Sequence, residues 1–270
     1  MTMTNRELKR TILEAIGKHH SIDDTVISRV DTLLESISDQ NQFIELQEVM
    51  DWLKKRQEEL EFSTEKIPLR DVKGWGPDEV TGNIEHERKE FFSVIGVRTS
   101  TMIRERPGGW DQPMVDQGTK SSLVGQLRKP FNGVPHYLIE AKAEPGNFGK
   151  LQLSPTLQVT FSNLQKAHEG RKPNYADYFE EPNGDDGEYA DHYDEGSNRL
   201  GTTLYRQWLP EDGGRFYQKR ILFKLVELRG GEEVPLVIEN FIWLTLFQIK
   251  ELLKLDNIIN PHLRSIIAHL

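Results

Sequence analysis

The sequence predicts an α+β domain carrying an N-terminal helical appendage, and three observations predict it. Apolar residues recur at helical spacing through roughly the first sixty positions, short β-rich runs separated by Pro and Gly follow from Phe91, and apolar helical stripes return near the C-terminus.

In the appendage, Leu8, Ile12 and Ile16 mark a first helix, and Val26, Val30, Leu33, Leu34 and Ile37 mark a second. A third stripe, Phe43, Leu46, Met50 and Leu53, runs to about Glu61. Pro68 and the Gly74-Trp75-Gly76-Pro77 turn then end the helical region. The expected division is residues 1–66 as the appendage and 67–270 as the main domain. Apolar stripes at helical spacing usually pack, so the appendage reads as a packing or dimerisation element.

The period then changes. Phe91 to Val97, Leu123 to Leu127, Tyr137 to Ala141, Leu151 to Leu153 and Phe216 to Leu228 are expected strands. Thr245 and Gln248 form a capping box for a helix whose apolar face is Leu246, Ile249, Leu252 and Leu253. Asn260 before Pro261 is a good N-cap and first-turn pair for another.

Composition narrows the function. A net charge of −9 argues against broad nonspecific binding to nucleic acid or to an anionic membrane, since both need a surplus of Lys and Arg. An anionic ligand then requires a locally basic pocket. The absence of cysteine excludes a disulfide framework, a thiolate metal site and a cysteine nucleophile. No apolar run approaches the ~20 residues of a membrane span, and the first ten residues lack the apolar stretch of a secretory signal, so the expected location is cytoplasmic. The acidic run from Asp185 to Glu195, which includes His192, lacks the spacing of a Ca²⁺ loop and reads as a solvated surface segment. Phosphate-loop, dinucleotide, zinc-protease and serine-hydrolase signatures are all missing.

The informative stretch opens with Lys142-Ala143-Glu144-Pro145-Gly146-Asn147. It continues through Ser154 to Thr160, Ser162-Asn163 and His168. A base, an acid, amides and hydroxyls fall within thirty residues. Lys142 ends a strand and Pro145-Gly146 turn the chain. Gln158, Thr160 and Ser162 then alternate with Leu157, Val159 and Phe161, giving a second strand one polar face. Such a face either lies open to water or meets a ligand rich in hydrogen-bonding groups, as a sugar is.

These segments resemble the sugar-nucleotide 2,3-dehydratases of deoxysugar biosynthesis. The resemblance is carried by Trp75, His86, Phe91-Phe92, Trp110-Asp111-Gln112-Pro113, the K-x-E-P-G-N and S-P-T-x-Q-x-T motifs, and Ser162-Asn163. It extends through H-x-G-x4-Y-x2-Y-F from His168 to Phe179, Trp243 to Leu246, and Asp256 to Asn260, covering nearly all of residues 75 to 270. Members usually carry two such units in tandem, each similar to a Nudix fold; this chain has one, so the resemblance implies a Nudix-like mixed sheet with flanking helices and a homodimer in place of the tandem pair. The sequence departs from the family pattern between Leu209 and Phe223, where it reads Leu-Pro-Glu-Asp-Gly-Gly-Arg-Phe before Ile221. No Nudix hydrolase box is present, which argues against diphosphate hydrolysis.

The activity implied is removal of water across C2 and C3 of a dTDP-4-keto-6-deoxyhexose, with no metal or other cofactor and possible hand-over of the product to a ketoreductase. Glu144 is the expected base, Lys142 the enolate stabiliser and His168 the expected acid, with Tyr175 and Tyr178 as alternatives. Arg98, Arg104, Arg128 and Arg171 are candidates for the diphosphate because guanidinium groups bind phosphate oxygens in pairs. Trp110 is the candidate for stacking on the thymine. Gln112, Asn147, Gln158, Thr160, Ser162 and Asn163 complete the expected binding set. Each has a structural alternative: Lys142 and Glu144 could simply pair, the tyrosines and His168 could pack, and Trp110 could anchor a loop. The alternative function is a noncatalytic sugar-nucleotide-binding protein of the same fold.

Overall fold

A computed structural model describes residues 4–41, 43–100, 107–118, 122–160, 164, 172–179, 200–228, 234 and 239–270. The architecture is α+β, with the helical N-terminal region preceding two sheets. The named helices among the described residues are α1 (Asn5–Gly17), α2 (Asp24–Ile37) and α3 (Leu46–Glu59), then α4 (Leu246–Leu252) and α5 (Pro261–Ile267) near the C-terminus. Both caps expected there form. Thr245 and Gln248 close a capping box on α4, and the Asn260 side chain accepts from the Leu263 amide at 2.9 Å to start α5.

The smaller sheet is an antiparallel meander of β1 (Trp75–Pro77), β2 (Ile84–His86), β3 (Ser93–Thr99) and β4 (Trp110–Asp116). The larger sheet contains β5 (Ser122–Phe131), β6 (Val134–Ala143), β7 (Leu151–Ser154), β8 (Leu157–Thr160), β9 (Gly201–Pro210), β10 (Arg220–Leu228) and β11 (Phe241–Thr245). Among the described residues its order is β11-β6-β5-β10-β9, with β7 added to β6 and β8 to β5. The β5–β10 pair is parallel, and the other pairs are antiparallel. Asn132 (φ 49°) and Gly133 (φ 81°) turn β5 into β6 with the two positive φ values of a tight hairpin.

Beyond that hairpin, β5 and β6 part. Arg128 to Phe131 pair with Val134 to Tyr137, whereas Ser122 to Gly125 pair with β8 and Glu140 to Ala143 pair with β7. The fork leaves backbone groups that need partners in a dry interior. Thr156, between β7 and β8, supplies them: its hydroxyl donates to the Leu138 carbonyl at 2.6 Å and accepts from the Leu127 amide at 2.9 Å. Gln126, fully buried, donates to the same Leu138 carbonyl and to Thr156 Oγ1.

Side chains alternate across the sheet at the strand period. Tyr137, Ile139 and Ala141 of β6 join Val49 and Leu53 of α3, Leu246 and Ile249 of α4 and Leu263 of α5 in one core. Leu138 faces the other, with Leu127, Leu157, Trp243, Tyr175 and Phe179. Phe179 presses so closely on β5 that a Cβ at Gly125 would sit 2.6 Å from its ring, so only glycine fits there. The three N-terminal helices differ in depth: α3 lies in the main core, α2 buries Val30 and Leu34, and α1 buries no residue. The segment before α3 is held by Asn41, which bonds the Trp243 carbonyl and Gln248, while Gln248 donates to the Ile44 carbonyl.

Candidate functional site

Lys142 lies near the end of β6, and the Pro145-Gly146 turn follows it, so Glu144 is carried by a short, constrained loop. Asn147 fixes that loop: its amide nitrogen bonds the Lys142 and Lys150 carbonyls at 3.0 and 3.2 Å, and its backbone N–H closes the turn on the Glu144 carbonyl. Lys142 Nζ donates to the Gln158 carbonyl at 3.0 Å and stands 3.8 Å from Glu144 Oε1. The Gln158 side chain donates to the same Glu144 oxygen at 3.0 Å. Its own oxygen accepts from Asn260 Nδ2 at 3.2 Å, and Asn260 also bonds Ser154 Oγ. The network therefore joins β6, β7, β8 and the start of α5. Among the described residues, Glu144 Oε2 accepts no hydrogen bond.

Glu144, Pro145, Asn147 and Lys150 form one wall of a cavity of about 320 Å³, and Phe62 to Thr64 form the other. That volume is at the lower end for small-molecule sites, which run from about 300 to 1,000 Å³, and suits a sugar ring better than a whole sugar nucleotide.

Two further titratable groups feel the charges of this cluster. Glu140, two residues before Lys142, has its carboxyl pushed up by burial, a shift opposed by Lys142 and reinforced by Glu144. His262, at the second position of α5, has its imidazole pushed down by burial; the charges of Glu211 and Glu144 oppose the shift, and those of Lys219 and Lys142 add to it. Glu140 was hidden in an apolar run read only as a strand, and His262 behind a cap read only as a helix start. An ionisable residue interrupting an apolar strand, and a histidine one step past an Asn-Pro cap, were the available signals.

The other expected site residues are dispersed. Trp110 and Gln112 are on β4, where Trp110 Nε1 donates to Gln112 Oε1 at 2.8 Å and Gln112 donates to the Gly214 carbonyl at 3.1 Å. β4 is also zipped to the β9–β10 loop, with Val115 N–H bonded to the Arg215 carbonyl and Tyr217 N–H to the Val115 carbonyl, both at 2.8 Å. The stretch that departs from the family pattern thus docks on the smaller sheet. Its far ends, Glu211 and Lys219, pair at 3.5 Å and act on His262.

Tyr175 and Tyr178 pack beside each other, Tyr175 buried with its ring 4.8 Å from that of Phe241. Thr160 ends β8 opposite Ser122. Arg128 lies on β5 between the carboxylates of Glu35 on α2 and Glu227 on β10, beside a separate cavity of about 390 Å³ under the N-terminal helices. Arg98 pairs with Asp111 at 2.7 Å on the exposed side of the small sheet. Arg104, Ser162, Asn163, His168 and Arg171, and the acidic run from Asp185 to Glu195, lie outside the described residues. Among the described residues no three His, Asp or Glu side chains are grouped as metal ligands would be, and no helix is long and apolar enough to cross a membrane.

A family model for NDP-hexose 2,3-dehydratase matches residues 46–270, which takes in α3, both sheets and the Lys142–Glu144 network. The chain belongs to the NDP-hexose 2,3-dehydratase family. Among its relatives, a dTDP-4-dehydro-6-deoxy-α-D-glucopyranose 2,3-dehydratase of Saccharopolyspora spinosa is 39% identical over 217 residues, covering 80% of this chain and 40% of the relative. Enzymes of the same name from Streptomyces violaceoruber and Amycolatopsis orientalis are 36% and 34% identical, over 81% and 82% of this chain and 45% and 44% of their own lengths. The chain spans less than half the length of these family relatives.

Proposed function

We propose that the chain is a sugar-nucleotide 2,3-dehydratase that removes water across C2 and C3 of a dTDP-4-keto-6-deoxyhexose in deoxysugar biosynthesis. The observation that carries the reading is Glu144, paired with Lys142 and bonded by Gln158, on the wall of a sugar-sized cavity that Asn147 also lines. The C4 ketone of such a sugar acidifies the proton on C3. Glu144 takes that proton, and Lys142 stabilises the enolate oxygen. The C2 hydroxyl then departs with a proton from an acid, the role the sequence reading gave to His168. The resulting enol tautomerises to a 3,4-diketo sugar. Gln158 and Asn147 aim the carboxylate, and Trp110 and Gln112 on the neighbouring sheet take the nucleotide end.

The same reading makes residues 67–270 the catalytic unit, Nudix-like in fold, with 1–66 as a helical appendage whose third helix is built into the core. It also holds that the protein is cytoplasmic, acts as a homodimer and passes its product to a ketoreductase.

The test is to mix purified protein with dTDP-4-keto-6-deoxyglucose and follow the products by mass spectrometry. Wild type should yield the species that has lost one water. Glu144→Gln should lower that rate by roughly 10²–10⁴-fold, the range of acid–base groups, and Lys142→Ala by about 10²–10³-fold as for a lost oxyanion donor. Intact substrate, with binding confirmed by calorimetry, would establish the noncatalytic binding protein instead.

A further inference from the structure

Asn260 is the N-cap of α5, and a cap needs only an acceptor, which Ser or Asp supplies about as well as Asn. The Asn260 side-chain oxygen does that work, accepting from the Leu263 amide at 2.9 Å. Its amide nitrogen makes two bonds that a cap does not require, to Ser154 Oγ at 2.5 Å and to Gln158 Oε1 at 3.2 Å. Asn260 and Ser154 are only 3% and 1% exposed, so these bonds are made away from water, where an unmatched polar group is costly.

The chain of bonds has a polarity that starts from a fixed point. The Leu263 N–H can only donate, so Asn260 must turn its oxygen toward the helix and its nitrogen away from it. That nitrogen can likewise only donate, so Gln158 must meet it with Oε1. The Gln158 nitrogen is thereby left for Glu144 Oε1, 3.0 Å away. The Asn260 backbone is pinned too. Its N–H donates to the Leu153 carbonyl at 3.0 Å, and the Leu153 N–H donates to the Ile258 carbonyl at 2.8 Å, which lays the residues before α5 along β7.

We infer that Asn260 is a positioning residue for the elimination: it fixes the polarity of the Gln158 amide, so that a donor and not a carbonyl oxygen meets Glu144. The inference rests on the dehydratase reading, with Glu144 as the base. Held through Oε1, the carboxylate presents Oε2 to the C3 proton. A Gln158 amide turned over would set its oxygen against the carboxylate and push the base out of line, and a misplacement of about 1 Å can cost roughly 10²-fold in rate.

The test uses substitutions that keep the cap. Asn260→Asp still accepts from the Leu263 amide and can accept from the Ser154 hydroxyl, but it offers Gln158 an oxygen and so turns the amide over. With dTDP-4-keto-6-deoxyglucose, kcat for water loss should fall by about 10–100-fold, as for a lost hydrogen bond to a charged group. KM should stay within about threefold, because the cavity wall is unchanged. Asn260→Ser keeps the cap and removes the donor; the amide is then free to turn either way, and kcat should fall by a smaller factor, about 3–10-fold. Gln158→Met has no amide to turn. In that background either Asn260 substitution should lower kcat by less than about twofold further, since a residue that acts only through Gln158 has nothing left to act on.

Wild-type kcat in both Asn260 variants would overturn the assignment. Losses that multiply in the Gln158→Met background, or a loss in KM alone, would overturn it as well. Should Asn260→Asp not fold, Asn260→Ser and its Gln158→Met double variant decide between the same outcomes. A wild type that loses no water, or a Glu144→Gln protein as active as wild type, overturns the dehydratase reading or its base and this inference with it. Wild-type turnover that depends on Glu144 but not on Asn260 overturns this inference alone.

Discussion

Arg128 and Lys142 are both long cations paired with carboxylates, and their surroundings give them different work. Arg128 is clamped by Glu35 and Glu227, with side-chain exposures of 16%, 14% and 30%. Tyr137, whose hydroxyl is pushed up by burial, donates to the second oxygen of Glu35 at 3.2 Å. The members of this cluster come from α2, β5, β6 and β10 and are committed to one another, so it stitches the helical region to the sheet. Lys142 is 3.8 Å from Glu144, which is 37% exposed and keeps one oxygen without a hydrogen bond among the described residues. An ion cluster strung between a helix and three strands holds a fold; a carboxylate with an unbonded oxygen on the wall of a sugar-sized cavity can take part in chemistry.

The largest effect that bears on this contrast is the loss of Arg128. Arg128→Met leaves two partly buried carboxylates facing each other. A fully buried pair broken in this way costs about 3–5 kcal/mol, and the residual exposure here reduces the expectation to about 2–3 kcal/mol. Urea unfolding should show it, with kcat/KM of the folded fraction unchanged. A protein of wild-type stability with weakened affinity for the sugar nucleotide would break the comparison and make Arg128 a phosphate ligand.

Thr156→Val tests the fork between β5 and β6. The Leu127 amide loses its acceptor while the Leu138 carbonyl keeps Gln126, so the expected cost is about 1–3 kcal/mol for one buried orphan. Because β7 and β8 carry Ser154 and Gln158, kcat should fall as well, and a stability loss with unaltered kcat would detach the fork from the site. Arg98→Ala, which removes a pair exposed at both ends (82% and 61%), should leave the urea midpoint unchanged. A raised KM for the sugar nucleotide in that variant would place the small sheet at the diphosphate.

The sequence made legible what is local or lies on neighbouring strands. The Thr245–Gln248 box and the Asn260 cap involve residues three apart, and each formed as read. Lys142, Glu144, Asn147 and Gln158 were recognisable as a group because they lie within seventeen residues around one turn, although the Lys142 end of β6 pairs with β7 and β8 pairs with β5. What long loops assemble was out of reach. The partners of Arg128 lie 93 and 99 residues away, and Asn260 meets Gln158 across 102. His262 rides on that last connection, so its neighbourhood could not be inferred from its own segment. The differing depths of α1, α2 and α3 were equally hidden, since their apolar stripes look alike and only the packed core separates Leu53, buried, from Leu33, exposed.

The bond from Asn260 to Gln158 also sets an order of events during synthesis. Gln158 leaves the ribosome about a hundred residues before the side chain that fixes it, as their separation of 102 requires, and at ordinary elongation rates of about 5–20 residues per second that is a wait of several seconds. A nascent chain can pair β5, β6, β7 and β8 and still lack an oriented Glu144. The Gln158 side chain is therefore fixed only once the start of α5 has emerged and docked.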